Sequence, residues 1–568
     1  MTEAERLDVR TLPRHPDVLI VGGGINGAGL FRELALQDVK VVLVEKGDFC
    51  SGSSAAPSRM IHGGLRYLEY GETRLVRESL RERDALLRNA PHYVRPIETV
   101  MPLHSWFKGL VSAIPRFVRG KGRSSQRGVV VVLIGLTLYD LFARASRLMP
   151  KRSFATRSRT LGTLPGLDPR VVASVTYWDA WISYPERLAF ELIEDATCGA
   201  NGATAFNYMA VTGLAKDGGV VVRDELSGAT TTVHPRVVVN ATGGWVDRTN
   251  QALGVQTRRI SGVKGSHLVI DDPDLRADLA GRMVYFENSD RRICIVFPWQ
   301  GKVLAGSTEI PIGDPDAAVC TPEETDYILG SLRELFPGRP VDRAAIVSTF
   351  SGVRPLLAGD HESSNEMSRD YAVSRMDLPG SHLPVFTMAG GKWTTFRAFA
   401  EEAADAVLGS LGCPRLVSTA ELAIGGGRDF PRDPVALDAW LDAAAGSSGL
   451  PRARLQDLLE RYGSRAMRIA TDAAREGDRP LVHAPDYSVA EIAWICRHEH
   501  VRRLEDLILR RTSLALLGRL SRPLLDELAG IWGSVLGRSE TEQAAAVADS
   551  IHHIRERFAI DIEGGHST

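Results

Sequence analysis

Residues 17–47 read DVLIVGGGINGAGLFRELALQDVKVVLVEKG, and this stretch decides the fold. An apolar run passes directly into Gly22-x-Gly24-x-x-Gly27, a helical segment follows, and a second apolar run ends on Glu45. Gly22 permits a tight turn, Gly24 lets the backbone approach a pyrophosphate, and Gly27 lets the helix pack closely on the strand. The helix N-terminus presents N–H groups to phosphates, and Glu45 can accept hydrogen bonds from ribose hydroxyls. The stretch therefore predicts a dinucleotide-binding unit rather than a glycine-rich turn of another α/β fold, but it does not distinguish NAD from FAD.

Length and composition describe an ordinary globular protein. A chain of 568 residues is too long for one core, so two or three domains are expected. A net charge of −2 gives no reason to expect nucleic acid as a partner. The six cysteines form no CxxC pair, so neither a disulfide framework nor a metal site is predicted. Because the charged N-terminal residues lack the apolar segment of a secretory signal, a cytoplasmic protein with reduced thiols is expected.

The segment after residue 50 carries the first candidate site residues. Residues 51–58 are small and polar, as suits a loop lying against a phosphate or ribityl chain. The sequence His62-Gly63-Gly64-Leu65-Arg66-Tyr67 follows, and its glycine pair allows close approach of backbone to a ligand. A histidine taken alone is more often structural, but the glycine pair and Arg66 favour a functional role for His62.

The order of several motifs carries a family resemblance. GGGINGAG, IHGGLRYLE, GVRPL, SRDY and AGGKWTTFR occur in turn across the first 400 residues, and EDLILRRTSLALL follows near residue 510. In these motifs the chain resembles the FAD-dependent glycerol-3-phosphate dehydrogenases, the flavoenzymes of aerobic glycerol use. The expected fold is α/β, a glutathione-reductase-type FAD-binding Rossmann domain with an antiparallel-sheet substrate cap and a C-terminal all-α domain. The expected boundaries are 17–95, 165–250 and 350–411 for the FAD domain, 96–164 and 251–349 for the cap, and 412–568 for the helical domain.

Two further glycine turns are expected to hold FAD. The apolar strand ending in Ala241-Thr242-Gly243-Gly244 is typical of glutathione-reductase-type FAD folds, and NAD-only Rossmann domains lack it. A later strand, VFTMAGG, leads through Lys392 into a long helix, whose N-terminal amides would face the flavin ring or the pyrophosphate. The predicted cofactor-binding residues are Gly22, Gly24, Gly27, Glu45, Lys46, Ser53, Ser54, Gly243, Gly391, Lys392 and Thr394.

The chemistry of a polyol phosphate at a flavin sets the expected substrate site. A secondary alcohol needs a base for its hydroxyl proton, and arginine binds phosphate oxygens bidentately. The resemblance assigns Arg66, Tyr67, Arg354 and Arg369 to substrate binding, with Arg354 also counted as catalytic. It places Lys392 at the junction of flavin and substrate, as a catalytic residue. His62 is the expected base, and contact with the flavin is its alternative role.

The resemblance thus implies FAD-dependent oxidation of sn-glycerol 3-phosphate to dihydroxyacetone phosphate by hydride transfer to flavin N5. Electrons would pass to a membrane quinone. One alternative keeps the mechanism and takes another polyol phosphate, because the chain has Tyr184-Pro185-Glu186-Arg187-Leu188 where the family carries a DDARL-like signature. Another is an O2-using glycerol-3-phosphate oxidase. A third is a flavin-binding regulatory protein without turnover, which the presence of all four site cations disfavours.

A short apolar segment raises the question of membrane contact. Residues 129–138 read VVVVLIGLTL, about half of the ~20 residues that a spanning helix needs. The basic stretch before it, with Arg116, Arg119, Lys121, Arg123 and Arg127, suits an anionic membrane interface, whereas a buried core helix is the alternative. The resemblance favours peripheral association with the inner face of the cell membrane, and it admits a homodimer.

Overall fold

The structure is a computed structural model that describes residues 8–68, 71–108, 128–143, 148–199, 202–358, 370–378, 380 and 382–562. Its strands are β1 (Val18–Val21), β2 (Val41–Glu45), β3 (Met60–Ile61), β4 (Val94–Leu103), β5 (Ser153–Thr156), β6 (Ala173–Ile182), β7 (Ala203–Asn207), β8 (Met209–Leu214), β9 (Val220–Asp224), β10 (Thr230–Val233), β11 (Val237–Asn240), β12 (Ile260–Ile270), β13 (Met283–Glu287), β14 (Ile293–Trp299), β15 (Lys302–Gly306), β16 (Ile310–Pro311), β17 (Ile346–Leu357), β18 (Tyr371–Asp377) and β19 (Pro384–Gly390).

The α-helices surround these strands and make up the C-terminal part. They are α1 (Ile25–Ala35), α2 (Leu65–Leu68), α3 (Thr73–Asn89), α4 (Val129–Ala143), α5 (Arg157–Thr163), α6 (Pro185–Gly199), α7 (Val246–Ala252), α8 (Pro273–Leu279), α9 (Pro322–Leu335), α10 (Phe396–Leu411), α11 (Pro434–Ser448), α12 (Arg452–Tyr462), α13 (Ala466–Glu476), α14 (Val489–His498), α15 (Leu504–Asp506), α16 (Arg522–Leu536) and α17 (Glu540–Phe558). A π-helical turn, Leu507–Arg511, continues α15.

The nucleotide-binding sheet joins six of the described strands in the order β18-β19-β11-β1-β2-β7. All its pairs are parallel except the edge pair β18–β19. Strand β1 is buried on both faces: Val18 and Ile20 join the core formed with α1, α6 and α10, while Leu19 and Val21 pack against the small sheet β8–β10. A continuous apolar run is what such a doubly covered parallel strand requires, which confirms the predicted Rossmann sheet.

The second large sheet is mostly antiparallel and contains ten of the described strands. Its longest pairing joins β12 to β17, and β4 pairs with β6 over ten residues. The predicted antiparallel cap is therefore confirmed as a class of structure. Three strands join this sheet although the expected boundaries place β3 and β6 wholly, and β17 largely, with the FAD domain, because their hydrogen bonds run to β6, β4 and β12.

The C-terminal helices enclose a core of their own, in which Leu455, Leu458, Ile492 and Leu528 are fully buried. This confirms the predicted helical domain. Its contact with the rest of the chain corrects one expectation from the sequence. Arg187 forms two hydrogen bonds to Glu499 of this domain, at 2.9 and 2.7 Å, and Glu186 pairs with the buried Arg59 at 3.0 Å. The YPERL segment thus bonds to the C-terminal helices, and none of its residues lines the large cavity between the two sheets, so its departure from DDARL does not change the lining of that cavity.

Helix α4 contains the apolar segment. Val129, Val132, Leu136 and Tyr139 are buried against the cap, whereas Ile134 on the other face is 53% exposed. No helix in the described part of the chain is long and apolar enough to cross a membrane. The basic stretch that includes Arg116 and Arg127 lies outside the described residues.

Candidate functional site

One cavity of about 510 Å³ brings together most of the predicted site residues. It lies between the nucleotide-binding sheet and the cap, and residues of all three glycine turns line it. The predicted residues in its wall are Gly22, Gly24, Glu45, Lys46, Ser53, Ser54, His62, Tyr67, Gly243, Arg354, Gly391, Lys392 and Thr394. The side chain of Arg66 and the whole of Arg369 lie outside the described residues.

The first glycine turn has the geometry that a dinucleotide requires. Gly22 adopts φ +110°, and a Cβ there would lie 2.8 Å from the carbonyl oxygen of Ala241. Gly27 is absent from the cavity wall, and a Cβ on it would overlap the carbonyl oxygen of Gly22. Gly22 therefore shapes the turn, and Gly27 allows α1 to approach β1. This cradle leaves room at the start of α1 where a pyrophosphate fits.

Glu45 and Ser54 complete this turn. The Glu45 carboxylate accepts hydrogen bonds from the backbone N–H groups of Gly23 at 2.7 Å and Gly47 at 2.9 Å. Burial raises the pKa of Glu45, although both N–H donors oppose the rise. Helix α1 begins after Gly24, which has no side chain to cap it, and Ser54 Oγ accepts the hydrogen bond of Ile25 N at 2.9 Å instead.

Lys46 lies at the outer end of the cavity. Its Nζ is 3.0 Å from Asp316 of the cap and 4.3 Å from the centre of the Trp245 ring. Asp316 also accepts hydrogen bonds from the Trp245 indole at 2.9 Å and from Arg248 at 3.0 Å. Lys46 therefore links the nucleotide-binding sheet to the cap at a place where it still lines the cavity.

The third turn brings Lys392 to the other end of the cavity. Its Nζ donates a hydrogen bond to Ser79 Oγ and lies 4.4 Å from the centre of the Tyr67 ring. The neighbouring Trp393 donates from its indole to the carbonyl oxygen of Ser54 at 3.1 Å. The third turn is thus linked to the first through Ser54, which also accepts the hydrogen bond of Ile25 N.

Arg354 extends from β17 across β12. Its guanidinium donates to Ser307 Oγ at 2.7 Å and to the carbonyl oxygen of Thr308 at 3.3 Å, and it lies 3.6 Å from Glu309. It passes over Gly265, where a Cβ would meet the guanidinium. The Arg354 side chain is 22% exposed, so the guanidinium is fixed by cap residues while it still reaches the cavity.

A buried ionic network that sequence reasoning missed holds the His62 segment. Asp179 of β6 accepts a hydrogen bond from Gly63 N at 3.0 Å and pairs with the buried Arg83 at 3.1 Å. Tyr139 of α4 donates to the same carboxylate at 3.3 Å. The His62 ring lies 6.0 Å from the Tyr67 ring. An aspartate inside an otherwise apolar strand, TYWDAWI, is the one signal that could have revealed this network.

His267 is a second residue that sequence reasoning missed. It lines the cavity, its Nε2 is 2.8 Å from Ser58 Oγ, and its ring stacks on Phe350 at 5.0 Å. Burial, together with the charge of Arg354, lowers the pKa of His267 to about 3, so the ring is neutral near pH 7. Its Nδ1 is buried and has no hydrogen-bond partner among the described residues.

Comparisons with known proteins agree with this geometry. Residues 17–406 match the family described as FAD dependent oxidoreductase, and residues 417–543 match the C-terminal domain of alpha-glycerophosphate oxidase. The glycerol-3-phosphate dehydrogenase of Synechocystis sp. is 32% identical over 527 residues, which cover 88% of this chain and 89% of that protein. The D-erythritol 1-phosphate dehydrogenase of Brucella abortus is 30% identical over 508 residues, which cover 88% of this chain and 94% of that protein.

A solved structure shares the fold over nearly the whole chain. The X-ray structure of the glycerol-3-phosphate dehydrogenase from Bacillus halodurans, complexed with FAD, has a TM-score of 0.76, 23% identity and 98% coverage of both chains. No group of three or more His, Cys, Asp or Glu side chains in the described ranges could hold a metal ion. The glycine cradle, the cavity and the two family matches together lead to one conclusion: this chain belongs to the FAD-dependent glycerol-3-phosphate dehydrogenase family, and its cofactor is FAD.

Proposed function

We propose that this protein oxidises sn-glycerol 3-phosphate to dihydroxyacetone phosphate and passes the electrons to a membrane quinone. One observation carries the proposal: His62, Arg354 and Lys392 line the same cavity as the three glycine turns. When bound, FAD supplies a hydride acceptor at N5. The protein must then bind the phosphate, orient the carbon that loses hydride and take the hydroxyl proton.

The described side chains divide these tasks among themselves. Arg354 binds the phosphate, because a guanidinium matches phosphate oxygens bidentately and the cap already fixes this one. Lys392, in the third glycine turn, places a second cation beside Tyr67. His62 takes the hydroxyl proton on a ring nitrogen, and the Asp179–Gly63 hydrogen bond holds its segment in place. Arg66 and Arg369 are proposed as further phosphate ligands.

Flavin reduction tests the substrate directly. The purified holoprotein is mixed without oxygen with glycerol 3-phosphate, a four-carbon polyol phosphate or glycerol, and the visible flavin absorbance is followed. Glycerol 3-phosphate is expected to bleach the flavin fastest and glycerol not at all. Fastest bleaching by the four-carbon compound would refute glycerol 3-phosphate as the substrate. It would favour a four-carbon polyol phosphate instead, the alternative that the Brucella abortus relative supports.

Exposed apolar side chains support the membrane and quinone parts of the proposal. Between residues 106 and 154 they are Trp106, Phe107, Ile134, Leu141, Leu148 and Phe154. The Trp106 and Phe154 rings lie 6.1 Å apart, and Phe107 is 70% exposed. Exposed aromatic and aliphatic side chains in this part of the chain suit contact with a membrane on the cytoplasmic side.

Vesicle binding tests this surface. The double variant Phe107→Ser/Ile134→Ser is expected to bind anionic vesicles about tenfold more weakly and to reduce membrane quinone more slowly. Val482→Ser is the control, because Val482 is 79% exposed elsewhere in the chain. Equal vesicle binding by the double variant and the native protein would refute the membrane surface. Hydrogen peroxide formed at the full turnover rate without membranes would favour the oxidase instead.

A further inference from the structure

A buried ion pair joins the C-terminal domain to the cofactor cradle. Asp48 lies three residues after Glu45, and its side chain is fully buried. Arg511 donates from Nη1 to Oδ2 at 2.7 Å and from Nη2 to Oδ1 at 2.9 Å, which is a bidentate pair. Arg510 also donates from Nε to Oδ2, and Asn207 donates to Oδ1 at 3.0 Å. All of these groups converge on one carboxylate.

The segment that carries Asp48 forms one side of the glycine turn. Cys50 N donates to the carbonyl oxygen of Gly23 at 2.9 Å, and Tyr208 N donates to that of Gly47 at 2.8 Å. Cys50 has φ +57°, a conformation that side chains other than glycine rarely adopt. Such a backbone persists only where its surroundings determine it. The hydrogen bonds of Glu45 to Gly23 and Gly47 close the same loop from the other end.

The two arginines are themselves fixed from the C-terminal side. They end the π-helical turn Leu507–Arg511, an uncommon geometry that is frequent at functional sites. Arg511 Nε donates to the carbonyl oxygen of Glu499 at 2.8 Å, and Arg510 pairs with Asp506 at 2.7 Å. Burial opposes ionisation of Asp48, but the charges of Arg511 and Arg510 outweigh it and hold its pKa below the usual value.

We propose that the C-terminal domain contributes to FAD binding through the Arg511–Asp48 pair. Asp48 and Arg511 are positioning residues: they hold residues 45–50 against the glycine turn, so FAD is retained only while the C-terminal domain supplies its arginine. A buried charge that loses its partner is strongly unfavourable. Residues 45–50 are the segment that can move to expose this charge to water. Loss of the pair therefore opens the adenosine end of the cradle.

The experiment measures FAD release from the holoprotein. Asp48→Asn keeps the shape of the side chain and removes its charge, and the rise of flavin fluorescence after dilution gives the release rate. We expect release at least tenfold faster than from the native protein, at a temperature where circular dichroism shows both folded. Arg511→Lys keeps a cation but loses the bidentate geometry, so its release rate should fall between the two. If Asp48→Asn does not fold, the FAD release rate of Arg511→Lys alone tests the proposal.

Two matched controls separate positioning from general loss of stability. Glu491 is a buried carboxylate paired with Arg454 and Arg461 inside the C-terminal domain, so Glu491→Gln should lower Tm without changing FAD release. Glu194→Gln removes the ion pair with Arg465, a pair that also joins the two domains but is separate from the hydrogen bonds of Asp48 and Arg511. Equal FAD release from the native protein and a folded Asp48 or Arg511 variant would overturn the proposal. Release from either control as fast as from Asp48→Asn would overturn it too.

Discussion

The two ends of the cavity are built by different means. At the dinucleotide end the wall is largely backbone, contributed by Gly22, Gly24, Gly47 and the start of α1. At the proposed substrate end it is mainly side chains, such as Arg354, Lys392 and His267, which come from separate strands and turns. A backbone cradle tolerates few substitutions, because a new side chain has no room. A side-chain site loses one interaction at a time.

The largest effect should follow a substitution at the dinucleotide end. In Gly27→Ala the new Cβ would overlap the Gly22 carbonyl oxygen, so α1 must move away from β1. We expect the protein to lose its bound flavin and about 4 kcal/mol or more of stability, measured by the ratio of visible to ultraviolet absorbance and by Tm. Gly330→Ala in α9 is the control, since nothing lies within 4 Å of its Cβ position; retention of flavin by Gly27→Ala would contradict the close approach.

A smaller and more selective effect is expected at the substrate end. Arg354→Ala removes the proposed phosphate ligand and should lower kcat/KM by about 100-fold, which corresponds to about 3 kcal/mol. Flavin content should stay unchanged, because the cradle does not depend on this side chain. Arg354→Lys should recover part of the loss. Steady-state kinetics with glycerol 3-phosphate check both variants, and unchanged turnover in Arg354→Ala would remove this residue from the site.

The third expected effect is a pH dependence of the free energy of unfolding, and it arises from His267 at the proposed substrate end. Burial lowers the pKa of His267 from 6.5 to about 3, so the native state disfavours its protonation. This stability is fully present above pH 6.5 and is lost as pH falls towards 3. Between pH 7 and pH 5 the loss is about 2 kcal/mol.

The comparison is made with His267→Gln, which does not titrate. Denaturant unfolding at pH 7 and pH 5 should show a larger decrease for the native protein than for this variant. His500, whose pKa burial lowers to about 4, titrates in both proteins and cancels in the comparison. Parallel pH dependence in both proteins would mean that His267 is accessible to solvent.

The same contrast explains which features could be predicted from the sequence. Gly22, Gly24 and Gly27 act within one strand, one turn and one helix, so local spacing was enough to indicate their structure. Asp179 and His267 each lie within a strand, and their partners Arg83 and Ser58 lie far away in the chain. A pair of this kind becomes visible only when the strands are brought together.

Residues 184–188 show a different difficulty. The pattern indicated the place where the family is expected to handle substrate, yet Arg187 pairs with Glu499, which lies 312 positions along the chain. Helix α4 was ambiguous for a similar reason. Its buried and exposed faces are both apolar, so the sequence alone could not tell which face the cap covers. The order of the family motifs supplied the fold and the cofactor where periodicity could not.

The strand order has a consequence for synthesis on the ribosome. Strand β1 leaves the exit tunnel early, but its neighbour β11 pairs Val237 with Val18 and is translated 219 residues later. At roughly 5–20 residues per second this delay is about 10–45 s. Arg511, the partner of Asp48, is translated 463 residues after it, which is a still longer delay. A nascent chain therefore carries β1 paired with β2 on one edge and open on the other edge for many seconds.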